Sequence, residues 1–195
     1  PQCGSLFYSS RAATIAATVT SEKDIRNAMQ RPEYKGTLGN FVKSRMNYDI
    51  SKDLSICDLP ICIPEQREEV LKLLNPHITH IAENGLSQKK AYLKYIAEVR
   101  CDAAPLTVVD VGYNGTIQYA LSKILSEKVR GLYMFLNDGA LPPKVGCVCN
   151  AIANPRDGDH PVYDNLLFLE AVMQVPYGQV QRLELEDNSV KVVCN

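Results

Sequence analysis

Residues 106–121, LTVVDVGYNGTIQYAL, decide the fold, because an apolar run ends in an acid and is followed by a glycine-bracketed turn and then a helical pattern. Thr107, Val108, Val109 and Val111 read as a buried strand, whereas Ile117, Ala120, Leu121, Ile124 and Leu125 recur at helical spacing. Asp110 is therefore expected near the carboxyl end of a strand, where ligands bind in open α/β sheets. The N-terminus of the following helix, with its free N–H groups, favours an anion. Gly112 and Gly115 permit a tight turn and a close backbone approach, and Thr116 offers a hydroxyl near the N-cap. Asn114 and Gln118 flank them and can present amides to a sugar hydroxyl or a phosphate. The plainer alternative is that Asp110 and Thr116 only cap the turn and helix, while Asn114 and Gln118 are solvated.

Working outward, a second strand is expected over Val129 to Asn137, VRGLYMFLN, and a third at VGCVCNAI after a loop holding Gly139, Pro142 and Pro143. On the amino-terminal side, Ser5 to Ser10 reads as a short strand that breaks at Arg11 into an alanine-rich helix. Ser21 and Asp24 make a capping pattern before Ile25, Ala28 and Met29. A helix is expected from Thr37 to Met46, then an irregular connection from Asn47 to Pro64. Two helices follow between Glu65 and Val99, divided near Asn75 and Pro76. Beyond the polar turn Asn154 to His160 lies an apolar helix, NLLFLEAVMQV, closed by Pro176, Tyr177 and Gly178. The final segment, VQRLELEDNSVKVVCN, alternates on either side of Asp187, Asn188 and Ser189, which signals a hairpin. The expected fold is α/β: a helix-rich three-layer domain around a small, mainly parallel sheet, with a C-terminal β-hairpin. Residues 1–195 read as a single domain, and the direct opening on a strand suggests a piece of a longer polypeptide.

The chain has 195 residues, 46% of them hydrophobic and 22% charged, enough for one filled core. A formal net charge of −1 with scattered signs supplies no field to draw nucleic acid, so that class of partner is not expected. No apolar run approaches the roughly 20 residues of a membrane span, so no transmembrane segment is expected in this chain. Seven cysteines, an odd number without CxxC spacing, point to reduced core thiols and a cytoplasmic setting. Cys147 and Cys149 should face one side of their strand. His77 and His80 could share one helical face but have no third ligand nearby, so no metal site is expected. Asp157 and Asp159 lack the ligand pattern of a calcium loop. P-loop, HExxH and serine-elbow motifs are absent.

Two more residues could carry chemistry. Glu170 lies among apolar neighbours, where a carboxylate costs free energy unless paired, or else it marks the one exposed stripe of its helix. Arg11 is a candidate cation for it, or for phosphate, with a surface ion pair as the alternative.

Three segments in this order, YSSRAATIA, VVDVGYNGTIQYAL followed by GLYMFL, and FLEAVMQVPYGQV, resemble the C-terminal region of bacterial hydrolases assigned to the haloacid dehalogenase superfamily. Those proteins are frequently fused to, or encoded with, glycosyltransferases of capsule, O-antigen and other surface polysaccharides. The resemblance places Asp110, Gly112, Gly115, Thr116 and Gln118 on the family's central motif, with Tyr113 where an aromatic is usual. Arg11 falls on its early arginine, and Glu170, Pro176 and Gly178 on its late motif. The DxD strand carrying the dehalogenase nucleophile is absent, since Asp102 and Asp110 stand in other contexts, so phosphatase chemistry does not carry over. The segment expected just before the early motif is also missing.

The resemblance implies an accessory domain of a surface-polysaccharide biosynthesis glycosyltransferase or hydrolase. Its ligand would be a phosphorylated sugar, a nucleotide-sugar or a lipid-linked acceptor, bound at the Asp110 to Thr116 loop, and its other partners would be further domains of the same polypeptide. In an enzyme, Asp110 and Glu170 would be the catalytic acids, Asp110 as general base or metal ligand. Arg11, Gly112, Asn114, Gly115, Thr116 and Gln118 would bind the ligand. No particular cofactor is implied. A non-catalytic module docking a neighbouring glycosyltransferase domain is the second reading. The third is a phosphoribosyltransferase-like ligand-binding domain, although the adjacent acids and longer turn of that loop are missing here.

Overall fold

The structure, a computed structural model, describes residues 9–29, 33–100, 105–153, 168, 180–187 and 189–194. Helix α1 (Arg11–Ala16) starts where Ser10 Oγ accepts from the Ala13 N–H. Ser9 and Ser10 are therefore not strand, and Arg11 is the first helical residue instead of a strand end; the rest of the expected strand lies outside the described residues. Helix α2 (Glu22–Ala28) carries the anticipated cap at Ser21. The Asp24 N–H donates to Ser21 Oγ, and Asp24 Oδ2 accepts from the Thr20 N–H in return.

Strand β1 (Tyr34–Thr37), helix α3 (Leu38–Met46) and strand β2 (Pro60–Ile63) come next. β1 and β2 pair antiparallel, Tyr34 opposite Ile63 and Thr37 opposite Pro60. This corrects the irregular connection expected between Asn47 and Pro64. Ile61 and Ile63 alternate into the core while Pro60 stays exposed at the strand start, where its missing N–H costs no ladder bond. Helix α4 (Arg67–Leu74) and the 22-residue helix α5 (Ile78–Val99) are separated by a 3₁₀ turn at Asn75–His77, where Pro76 cannot supply an N–H.

Strand β3 (Thr107–Asp110), helix α6 (Thr116–Leu125), strand β4 (Arg130–Phe135) and strand β5 (Cys149–Ala153) form the three-stranded parallel sheet, in the order β3-β4-β5. Asp110 stands opposite Tyr133, and Gly131 opposite Cys149. β5 begins two residues after Cys147, so the expected third strand is shorter than its apolar run. Strands β6 (Val180–Glu186) and β7 (Ser189–Cys194) make the C-terminal antiparallel hairpin, turning at Asp187 with φ 42°. The chain is thus α/β, with many helices, a small parallel sheet and a terminal hairpin. The apolar helix expected around Glu170 lies outside the described residues, apart from Phe168.

Two apolar clusters share the interior. One gathers Ile25, Met29, Leu38, Phe41, Val42, Leu74 and Ile81 from α2, α3, α4 and the start of α5. The other gathers Ala13, Ala17, Tyr92, Ile96, Leu121, Ile124, Val129 and Leu183 from α1, the far half of α5, α6 and the hairpin. Helix α5 contributes to both. Gln88, buried in its middle, fastens β6: its Nε2 donates to Leu183 O and its Oε1 accepts from Leu183 N–H, both at 3.0 Å. On the parallel sheet, Val109, Leu132 and Ile152 lie on one face and are 61%, 44% and 68% exposed. The opposite face meets α6.

Candidate functional site at the turn between β3 and α6

Asp110 ends β3, and its Oδ1 accepts from the Gly112 N–H at 3.0 Å, which folds the chain back into the turn. Gly115 is the N-cap of α6 in the left-handed region, φ 62° and ψ 29°, and its carbonyl accepts the first intrahelical bond, from Tyr119. A Cβ on Gly115 would stand 2.5 Å from Pro142 Cγ and 3.0 Å from the Tyr133 hydroxyl, so this position requires glycine for both conformation and space. Gly112 differs: its Cβ would meet only Asp110 Oδ1, at 3.6 Å.

Glycine at the N-cap has a second effect. No side chain accepts from the first turn of α6, and the Thr116 hydroxyl makes no hydrogen bond among the described residues. Among the described residues the first-turn N–H groups therefore keep their donor capacity, and they carry the positive end of the helix dipole. Asn114 fixes the outer side of the turn. Its carbonyl accepts from Leu141 N–H at 3.0 Å and its Oδ1 from Asn137 Nδ2 at 2.9 Å, while Tyr113 O accepts from Asn137 N–H at 2.8 Å. The Tyr113 ring stacks on Phe135 with centroids 6.4 Å apart.

Gln118 is fully buried. Its Nε2 donates to Val129 O at 2.8 Å and Val148 O at 3.0 Å, and its Oε1 accepts from the Tyr133 hydroxyl at 2.7 Å and from Cys149 Sγ at 3.2 Å. The amide thus joins the entries to β4 and β5. Burial, and next the Asp110 carboxylate, raise the Tyr133 phenol well above its ordinary range. Cys147 Sγ lies 3.2 Å from Ser122 Oγ, so both thiols turn toward α6, as the alternation in the sequence implied. Burial also raises the Cys149 thiol.

Arg11 is exposed and stands close enough to Arg45 that its charge disfavours the protonated form of that half-buried guanidinium, whose largest perturbation is burial. Glu170 lies outside the described residues. The structure therefore gathers Asp110, Gly112, Asn114, Gly115 and Thr116 on one turn and puts Gln118 in the core behind it.

Among the described residues no three His, Cys, Asp or Glu side chains assemble into a metal-binding group. His77 Nε2 lies 3.2 Å from Asp53 Oδ2, and His80 is exposed beside Glu83. Five described cysteines, Cys57, Cys62, Cys147, Cys149 and Cys194, are free thiols. No described helix is long and apolar enough to cross a membrane. The strand order β3-β4-β5 does not reverse, so the turn sits at the edge of the described sheet and not in a crevice between diverging crossovers.

One feature was hidden from sequence reasoning. A cleft of about 360 Å³ opens between α2 and α6, lined by Thr18, Asp24, Asn27, Tyr119, Lys123 and Leu141. Its two walls are about ninety residues apart in the chain, and no local motif marks them. No protein-family model matches the chain, and no curated protein matches it in sequence.

Proposed function

We propose that this chain is an accessory ligand-binding domain of a cytoplasmic surface-polysaccharide biosynthesis glycosyltransferase or hydrolase. It takes a phosphorylated sugar, a nucleotide-sugar or a lipid-linked acceptor at the Asp110 to Thr116 turn. The observation that supports this most is the glycine N-cap: among the described residues no side chain claims the first N–H groups of α6 or the Thr116 hydroxyl, which lie beside a carboxylate at the carboxyl edge of a parallel strand. Charge decides how the ligand lies. Two unit charges 4 Å apart repel by about 4 kcal/mol at an effective dielectric of 20, so the phosphoryl group belongs at the helix end and a sugar hydroxyl at Asp110. Asp110 can accept that proton as a general base, or simply hold the hydroxyl.

The test is titration of the 195-residue chain with glucose 1-phosphate and with uridine diphosphate glucose, followed by backbone amide shifts. The expected result is a saturable change over Gly112 to Gln118 that Thr116→Ala weakens several-fold. Absence of any change in that turn rejects the reading.

The second reading, a docking module for a neighbouring glycosyltransferase domain, is favoured by the exposed Val109, Leu132 and Ile152 on one sheet face. Sedimentation of the chain mixed with that domain tests it. Leu132→Glu should abolish a complex formed through this face, and a complex indifferent to the substitution argues against it.

A further inference from the structure

We infer that the cleft between α2 and α6 is a second subsite of the same ligand, receiving the hydroxylated ring of a sugar phosphate whose phosphoryl group lies at the Thr116 turn. This rests on the reading proposed above and adds the part of the molecule that turn does not hold.

The cleft collects polar groups that the fold itself does not use. Asn27 and Tyr119 make no side-chain hydrogen bond among the described residues, and Lys123 has no acidic partner there. Asp24 Oδ2 accepts from the Thr20 N–H, the Thr20 hydroxyl and Ser21 Oγ, at 3.1, 3.1 and 2.7 Å. Its other oxygen has no partner among the described residues, on a carboxylate held in place by the cap of α2. Across the cleft, Lys123 Nζ lies 4.9 Å from the centre of the Tyr119 ring, a cation–π contact that restrains a long side chain. An acceptor that is already oriented thus faces an amide, a phenol and an ammonium. A ring bearing several hydroxyls, each both donor and acceptor, matches that set. A purely apolar ligand does not, because it would strip water from these groups and return nothing.

The cleft also adjoins the turn. Leu141, in its wall, donates its N–H to the Asn114 carbonyl. Thr116, Tyr119 and Lys123 stand at i, i+3 and i+7 on α6, a spacing that keeps them on one face, opposite the buried Gln118 and Leu121. At 1.5 Å per residue, Thr116 and Lys123 are about 10 Å apart along the axis. A phosphoryl group at the first turn and a ring beside the second and third therefore fit one molecule.

The experiment compares glucose 1-phosphate, glucose and inorganic phosphate on the intact chain by backbone amide shifts, with Lys123→Met and Asn27→Ala as variants. Both side chains are exposed, so neither substitution opens a cavity in the core. Glucose 1-phosphate should perturb Thr18 and Asn27 together with Thr116 to Tyr119. Each variant should weaken it at least tenfold while inorganic phosphate still perturbs the turn as before. Perturbation confined to Gly112–Ile117 and insensitive to both variants overturns this inference and leaves the proposed function standing. Perturbation at neither end rejects both.

Discussion

Tyr133 donates its phenolic proton to Gln118 Oε1 at 2.7 Å, which ties the residue opposite Asp110 in the sheet to the helix that begins just after Asp110. The same amide donates to Val129 O and Val148 O, so one side chain sets the spacing of α6, β4 and β5. The floor beneath the turn is built from neutral hydrogen bonds. Asp110, at the end of β3, brings a charge to the turn above it.

Gln118→Leu keeps the volume but takes the amide partner from the Val129 carbonyl and the Tyr133 phenol in the interior, while Val148 O keeps its bond from Gly131 N–H. Each buried polar group left unpaired costs about 1 to 3 kcal/mol, and some will recover a partner, so a loss of about 3 kcal/mol is expected. Urea denaturation measures it. A loss below about 1 kcal/mol would show that the Val129 carbonyl and the Tyr133 phenol re-pair without the amide.

The two glycines of the turn should separate cleanly. Gly115→Ala forces a left-handed backbone on alanine, at about 1 to 2 kcal/mol, and drives its Cβ into Pro142, so about 3 kcal/mol or more should be lost. Gly112→Ala meets only the Asp110 carboxylate, at an ordinary 3.6 Å, and should stay within about 1 kcal/mol of the parent. Thermal unfolding of the pair checks this, and equal losses would mean that the turn is not anchored at Gly115.

The sequence made the parallel core legible because strand, turn and helix signals lay within sixteen consecutive residues, although the strand read as buried leaves Thr107 and Val109 exposed on one face. The same was true of the hairpin around Asp187. β1 escaped because YKGT carries no apolar alternation; only Tyr34 packs inward, edge-on to Phe41 with ring centroids 5.1 Å apart. β2 was masked by the prolines on either side of ICI. The role of Gln118 could not be read because an amide one turn into a helix looks the same whether it faces solvent or two strand ends. Its neighbours Val129 and Val148 are brought to it only by the crossover. The cleft was invisible for a similar reason: Asp24 read as a capping residue, which it is, and only the approach of α2 to α6 sets it in a cleft wall.

Gln88 is the corresponding clip for the hairpin, since both of its amide hydrogen bonds go to Leu183. Gln88→Ala leaves a buried N–H and C=O of β6 without these partners and should cost about 2 to 3 kcal/mol. Hydrogen exchange localises the effect: the Leu183 amide should exchange faster while amides of α3 and α4 keep their relative protection. Uniform acceleration across the chain would instead mark Gln88 as part of one global unit and not as a local fastener.

Alkaline pH supplies the last expectation. Burial raises the Tyr92 phenol from an ordinary 10.0 to about 12, a shift that its hydrogen bond with Ser9 Oγ, 3.2 Å away, only partly offsets. Because the folded value lies above the unfolded one, the unfolded chain ionises first as pH rises. The stabilisation is fully present below pH 10 and is lost progressively until about pH 12. Two units correspond to roughly 2 to 3 kcal/mol, so stability should fall by about that much across the window from this group, with Tyr133, also raised by burial, adding in the same direction. Tyr92→Phe cannot ionise. It should lose about 1 kcal/mol at neutral pH with the Ser9 bond, yet lose distinctly less than the parent between pH 10 and 12. Denaturant unfolding at intervals of half a pH unit measures both limbs, and parallel curves for parent and variant would show that Tyr92 does not govern the alkaline transition.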